Sequence, residues 1–313
     1  MPRPPERWTE DELKADAQIA LQVHVELRRA AAEEEHRQYI ELVERFQADA
    51  SELLERTDNL RQITGDSLKK RNVLELARYA AVPLISAGDL DNLTGAKFGN
   101  WIKQKSDRGT CPSDEEFAEA AAVIKPTLNP LLAPWIADGR APTAAELERF
   151  AFTTALVPAS NVLTTLRRSE SSSRQEEAIR AACKSAGYEP TKPPGALTDP
   201  INDMDPGTYS TASRKIAGDN MDVPIRMRSG HFLKFVAVEA KVSNTAVNSR
   251  KRLAEVMNKR SKWDNAGELY DFRTAAVLAG DFSLERLKEA QTSGVMIFWE
   301  HRLEDLTDFL KGK

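Results

Sequence analysis

The sequence predicts an α+β (α/β) protein, with a mainly α-helical N-terminal region over residues 1–165 and a mixed β-sheet core flanked by helices over residues 166–313. Three observations predict this organisation. Before about residue 190, apolar residues recur at spacings of three, four and seven, the period of an amphipathic helix. After about residue 220, short apolar runs alternate with helical segments, which favours a sheet with helices packed on it. The length of 313 residues allows two domains with a core each.

The N-terminal region shows helix starts and apolar faces. Thr9, Ser113 and Thr143 are each followed three residues later by Glu, which is the capping-box pattern. The spacing predicts an apolar, core-facing helical stripe at the positions Ile19, Val23, Leu27, Tyr39, Leu42, Val43, Phe46, Leu53 and Leu54. A separate long helix is predicted over 163–187, with Gly187 as its end.

The C-terminal region follows a turn-rich connector over 190–207. Its apolar runs at 223–228 and 231–242, joined by Ser229-Gly230, predict a β-hairpin. The remaining elements are predicted in the order helix 245–262, strand 273–279, helix 283–291, strand 295–299 and helix 303–310.

Composition excludes some classes of protein. A net charge of −4 argues against a sequence-blind nucleic-acid coat, which needs a broad basic surface, but it allows an enzyme with one basic cleft. Apolar runs stay short of the roughly 18 residues of a membrane span, and the N-terminus lacks a secretory pattern. Cys111 and Cys183 are therefore predicted to be buried free thiols of a cytoplasmic protein. A Walker-type glycine loop is absent, which argues against a nucleotide cofactor.

The segment 235–242 carries the strongest chemical signal. Alternation along a strand places Glu239 and Lys241 on one face, and it places on the other face Val236, Val238, Ala240 and Val242. Two charges at the end of an apolar strand are costly to bury unless they are paired, and a divalent metal would pair with Glu239. The alternative is an ordinary salt-bridged strand end.

An acid on the paired strand completes the pattern. Asp222 opens the first strand of the hairpin, so it can lie beside Glu239. Two carboxylates and the Ala240 carbonyl are the hard oxygen ligands that Mg²⁺ prefers, and Lys241 can offset charge on an attacking water or a phosphoryl oxygen. Pro224 is awkward in a central strand, so Asp219 remains a rival for the first carboxylate.

A basic segment follows directly. From Lys241 to Lys262 there are seven Lys or Arg residues against the single acid Glu255, which makes +6 in a chain of net charge −4. Such focused charge suits DNA phosphates, although a solvated basic helix face is the alternative. The predicted DNA contacts are Ser243, Asn244, Asn248, Arg250 and Lys251.

These residues resemble a known family. An acid, a hairpin and then Glu-x-Lys is the arrangement of PD-(D/E)XK nucleases, and the segment 239–253, Glu-Ala-Lys-Val-Ser-Asn-Thr-Ala-Val-Asn-Ser-Arg-Lys-Arg-Leu, resembles the catalytic segment of XamI-type type II restriction endonucleases. Further similar stretches lie at 78–90, 174–188, 276–280 and 297–301, so the resemblance spans about 60–310. The family's Lys-Ala before its first acid is replaced here by Asn220-Met221.

The resemblance implies a restriction-endonuclease-like fold and a homodimeric enzyme that cuts a short, palindromic double-stranded DNA site with Mg²⁺. It implies that Asp222, Glu239 and Lys241 are catalytic, that Glu177 is an additional acid, and that the helical region serves DNA recognition or dimerisation. Two alternatives stay open: a nuclease of the same core that acts in repair or junction resolution, and a non-catalytic DNA-binding relative.

Overall fold

A computed structural model of the chain describes residues 8–103, 111–199, 202–231, 233–266 and 272–312. It divides into two compact units. One is formed by residues 32–166 and the other by the described residues among 1–31 and 167–313. Among the described residues, no helix is both long enough and apolar enough to cross a membrane.

Helices form the N-terminal half of the chain. They are α1 (Glu10–Ala30), α2 (Ala32–Arg56), α3 (Arg71–Tyr79), α4 (Ala87–Thr94), α5 (Phe98–Lys103), α6 (Asp114–Ile124), α7 (Pro134–Ala137) and α8 (Ala144–Ser185). The predicted capping boxes at Thr9 and Ser113 are confirmed at the starts of α1 and α6. Thr143 likewise caps α8, where its hydroxyl accepts a hydrogen bond from the Glu146 N–H.

The core of the 32–166 unit is built on α2, whose predicted apolar face is confirmed. Leu42, Phe46 and Leu53 are buried there, in a cluster that also holds Trp135 and Phe150. The Trp135 indole N–H donates to the Asn59 carbonyl at 2.8 Å, which satisfies its one polar atom inside the core.

In α1 the helix face that was predicted to pack is not the buried one. Ile19, Val23 and Leu27 are exposed, whereas Leu13, Asp16 and Ala20 are buried. The buried face packs on the sheet of the unit to which α1 itself belongs, and Asp16 Oδ1 lies 3.2 Å from both His301 Nε2 and Arg302 Nη1. The packed side of α1 is therefore defined by Leu13, the small Ala20 and the ion-paired Asp16, and counting apolar residues alone does not find it.

Helix α8 is longer than predicted. The two helix starts predicted at Thr143 and Leu163 belong to one helix. Pro158 lies inside this helix and lacks a backbone N–H donor, but the helix continues past it. Gly187, just past the end, has φ +81°, as its predicted role as a stop requires. The division between the compact units falls inside α8, and the domain boundary at residue 165 stays a prediction.

The sheet is mixed, as predicted. Its strands are β1 (Glu189–Thr191), β2 (Thr208–Ser210), β5 (Val223–Arg226), β6 (Phe235–Ser243), β7 (Phe272–Gly280) and β8 (Met296–Trp299), in the order β1-β2-β5-β6-β7-β8. Strand β5 runs antiparallel to β6, which confirms the predicted hairpin, and β6, β7 and β8 are parallel. A separate two-stranded hairpin, β3 (Arg214–Ile216) with β4 (Asp219–Met221), lies in the segment before β5 and was not predicted.

Helices cover both faces of this sheet. They include α9 (Ala246–Ala266), α10 (Leu284–Thr292) and α11 (Glu304–Leu310), each close to its predicted position. Val236, Val238 and Ala240 pack on one side with α8 and α11, while α1, α9 and α10 pack on the other. Cys183 is buried in the first layer, where burial raises the pKa of its thiol to about 12. Cys111 is exposed, so its predicted burial was wrong.

Candidate active site

Strand β6 places Glu239 and Lys241 on the same face, as its alternation predicts. Glu239 is fully buried, and Lys241 is nearly so. The Lys241 Nζ atom lies 2.7 Å from Glu239 Oε2, so the two charges form a buried ion pair. Glu239 is the fifth and Lys241 the seventh of the nine residues of β6.

Asp222 joins this pair from the neighbouring strand. It occupies the bend between β4 and β5, and the pairing of Val223 with Val238 brings it next to the middle of β6. The Ala240 N–H donates to Asp222 Oδ2 at 2.9 Å, and Lys241 Nζ lies 3.5 Å from the same oxygen. The structure thus brings the three predicted catalytic residues together around one ammonium group.

Asp219, the rival acid, is placed differently. It lies on β4, where its Oδ2 atom forms an ion pair with Lys262 Nζ at 2.8 Å. Of the two acids, Asp222 is the one that shares the Lys241 ammonium with Glu239.

A second lysine contacts the site and was not singled out from the sequence. Lys259 on α9 places its Nζ 2.6 Å from Glu239 Oε2 and 2.6 Å from the Asn220 carbonyl oxygen. The spacing of apolar residues along α9 could have predicted that Lys259 turns inward. Lys259 stands three residues after Val256 and four before Trp263, both fully buried, and such spacings share a helix face.

Burial dominates the electrostatics of Glu239. Burial and the nearby Asp222 raise the pKa of Glu239, and this outweighs the opposing effect of Lys241 and Lys259. For Lys241, burial acts to lower the pKa, but the charges of Glu239 and Asp222 outweigh it and the pKa is raised. An additional cation near Glu239 would therefore stabilise its ionised form.

The donor set fits a hard divalent cation. Glu239 Oε1 is buried and accepts no hydrogen bond from the part of the chain that the structure describes. The Ala240 N–H points at Asp222, and the carbonyl of a strand residue leaves on the same side as its N–H. Within the described residues, His, Cys, Asp and Glu side chains do not gather in a metal-binding group of three or more. Two carboxylates and the Ala240 carbonyl would therefore be the protein ligands, which suits Mg²⁺ with several waters.

The predicted DNA contacts lie at the start of α9, and four of the five face solvent. These four are Asn244, Asn248, Arg250 and Lys251. Ser243 is instead buried, and its hydroxyl donates to the Thr245 carbonyl at 2.8 Å. Its hydroxyl is thus used inside the protein, and its predicted contact with DNA stays a prediction. Thr245 Oγ1 in turn accepts from the Asn248 N–H at 3.2 Å and caps the helix.

Glu177 is exposed on α8. The residue of that turn that reaches the sheet is Gln175, which is fully buried and donates to the Val277 carbonyl on β7 at 3.2 Å. A role of Glu177 as an additional acid stays a prediction.

Comparison with known proteins identifies relatives. The family model described as XamI restriction endonuclease matches residues 58–299. The chain is 26% identical over 253 residues to the type II restriction enzyme XamI of Xanthomonas campestris pv. amaranthicola, covering 80% of this chain and 87% of that enzyme. It is 25% identical over 322 residues to the type II restriction enzyme SalI of Streptomyces albus G, covering 96% of each. No solved structure matches the chain.

Proposed function

Since this chain belongs to the XamI restriction endonuclease family, we propose that it is a type II restriction endonuclease that hydrolyses double-stranded DNA at a specific, palindromic site with Mg²⁺. The relatives it resembles over most of their length are named type II restriction enzymes. A cytoplasmic location, where the enzyme would meet DNA, is part of the same proposal.

One observation carries the proposed chemistry. Asp222 Oδ2 comes from the bend before β5 and Glu239 Oε2 from β6, yet both lie within 3.5 Å of the Lys241 ammonium. A purely structural ion pair needs one acid, whereas hydrolysis of a phosphodiester needs an anionic metal site and a cation beside it. Together with the family, this geometry supports a PD-(D/E)XK nuclease centre.

Each residue has a role in this proposal. Asp222, Glu239 and the Ala240 carbonyl would hold Mg²⁺, which when bound supplies Lewis acidity at the scissile phosphate. The Lys241 ammonium stabilises the negative charge that develops on the phosphoryl oxygens and orients the attacking water. The Asp222–Ala240 hydrogen bond fixes the first carboxylate against the strand that carries the other two groups.

DNA would be held beside this centre. Arg250 and Lys251 at the exposed start of α9 would contact phosphates, and Asn244 and Asn248 supply donors and acceptors for phosphates or base edges. Ser243 would act indirectly, because its hydrogen bond positions the start of α9. Two active sites related by a two-fold axis match the symmetry of a palindrome and can cut both of its strands in one complex, so we propose a homodimer.

Sequencing the ends of fragments from long phage DNA incubated with the protein and Mg²⁺ tests this function. We expect discrete fragments whose ends share one symmetric motif at a constant cut position. Nicking confined to branched or damaged DNA, without a common motif, would instead indicate a repair or junction-resolving nuclease. Binding without any cleavage would indicate a non-catalytic relative.

A further inference from the structure

Lys259 reaches the acidic centre from outside the strands that build it. Its side chain extends from α9 to Glu239 Oε2, which therefore has two ammonium groups within 2.7 Å. The other oxygen, Oε1, is buried and has no hydrogen-bond partner among the described residues. Both cations are thus concentrated on one oxygen of a fully buried carboxylate.

We propose that Lys259 is an exchangeable counterion and a positioning residue. It holds Glu239 while no metal is bound, and its ammonium leaves Oε2 when a divalent cation binds. The inference rests on the metal site of the proposed function. In this proposal Lys259 competes with the metal for Glu239, whereas Lys241 and the other basic residues of 241–262 do not.

The charges of the centre support competition. Two carboxylates, Asp222 and Glu239, face two ammonium groups, Lys241 and Lys259, so the four formal charges cancel. A divalent cation entering this neutral set gains little net attraction and lies close to two like charges. Removing one ammonium leaves a net negative centre, which attracts the metal more strongly.

The positions of the two lysines indicate which one moves. Lys241 is on the same strand as Glu239, with its side chain 11% exposed, and contacts both carboxylates. The Lys259 side chain is 21% exposed, and its contact to the centre is one carboxylate oxygen plus the Asn220 carbonyl. Its Nζ atom also lies 5.6 Å from the Trp263 ring centroid, a surface over which an ammonium is stabilised. Lys259 can therefore leave Glu239 without removing the cation that serves the reaction.

Binding of Mn²⁺ alone to the DNA-free protein, followed by electron paramagnetic resonance of the free ion, tests the proposal. We expect Lys259→Met to bind Mn²⁺ about tenfold more tightly than the unaltered protein. Lys259→Arg, which keeps the charge, should bind as the unaltered protein does. Lys262→Met is the matched control, because this lysine lies on the same helix and pairs with Asp219. Its Mn²⁺ affinity should be unchanged.

Equal or weaker Mn²⁺ binding by Lys259→Met would overturn the proposal, and so would tighter binding by Lys259→Arg. Should Lys259→Met fail to fold, Lys259→Gln supplies the same comparison, with circular dichroism as the check. Glu239→Gln separates the two levels of inference. If Mn²⁺ binding survives unchanged in Glu239→Gln, the proposed metal site itself is wrong, whereas its loss there without tightening in Lys259→Met rejects only the role of Lys259.

Discussion

The backbone N–H of Ala240 donates a hydrogen bond to Asp222 Oδ2 at 2.9 Å, which ties this acid to the β6 residue between Glu239 and Lys241. Strand β5 begins only at Val223, so Asp222 lies in a bend where its side chain takes the place of a strand partner. The hairpin therefore sets the distance between the two carboxylates through its register. Anything that shifts the register would separate them.

Replacing Asp222 and Asp219 one at a time by Asn tests which of the two is the first carboxylate. Asp222→Asn should lower the single-turnover cleavage rate by on the order of 10³-fold, because the amide still accepts the Ala240 N–H but no longer supplies an anionic metal ligand. Asp219→Asn should stay within about threefold of the unaltered rate, since Asp219 pairs with Lys262 on an exposed edge. The reverse pattern would make Asp219 the first carboxylate.

The pH dependence of the stability of the protein should depend on the ionisation of buried Glu239. Its pKa is raised in the folded chain, chiefly by burial, so the folded state binds this proton more tightly than the unfolded state does. This carboxyl thus contributes stability below its unfolded pKa, and the contribution is lost as the pH rises through the folded pKa. The Tm of the unaltered protein relative to that of Glu239→Gln, which is neutral at this position at every pH, should therefore rise as the pH falls.

Calorimetry of both proteins in EDTA, from neutral pH down to about the unperturbed glutamate pKa, measures this difference. A Tm difference that stays constant with pH, or that moves in favour of Glu239→Gln on acidification, would show that folding does not raise the pKa of Glu239.

The start of α9 should set the salt dependence of DNA binding. Replacing Arg250 and Lys251 together by Ala should weaken binding to every duplex alike and reduce the slope of log K against log salt by about two, one per lost phosphate contact. Lys288→Ala, which removes an exposed lysine paired with Glu10 on another helix, is the control and should leave the slope unchanged. An unaltered slope in the double variant would mean that DNA approaches another surface.

Gly280 at the end of β7 lies beside Ser243 at the end of β6, just before the start of α9. It has φ +96°, and a Cβ atom there would lie 2.0 Å from the Ser243 carbonyl oxygen. Gly280→Ala should lower the free energy of unfolding by about 2 kcal/mol or more beyond the loss in Gly218→Ala. Gly218 has a similar φ of +84° but nothing within 4 Å of the added carbon, so the comparison isolates the clash. Denaturant titration measures both, and equal losses would contradict the predicted clash.

The hairpin and the strand that carries Glu239 and Lys241 could be predicted from the sequence because their signal is local. Alternation over 235–242 fixes which side chains share a face, and Ser229-Gly230 predicts the turn that aligns the strands. The resemblance of the segment 239–253 then added the chemistry. The choice between Asp219 and Asp222 was left open, because it depends on the bend between β4 and β5, which no periodic pattern encodes.

The contact of Lys259 with Glu239 and the packed face of α1 were missed, because both depend on residues that are distant along the chain. Lys259 is twenty residues from Glu239, and seven cations in one stretch give no sign of which one turns inward. On α1 the apolar residues Ile19, Val23 and Leu27 are exposed, while Asp16 is buried against His301 and Arg302. A paired buried acid has no hydrophobic signature, so the packed face follows only from the fold.

The cleavage rate of Glu239→Gln, on DNA that it demonstrably binds, tests the central claim most directly. The substitution keeps the shape of the side chain and removes the buried anion that faces Lys241 and Lys259. We predict DNA affinity within a few-fold of the unaltered protein, and Mg²⁺-dependent cleavage lower by on the order of 10³-fold or more. Cleavage within about tenfold of the unaltered rate would contradict the assignment of this centre as the site of hydrolysis.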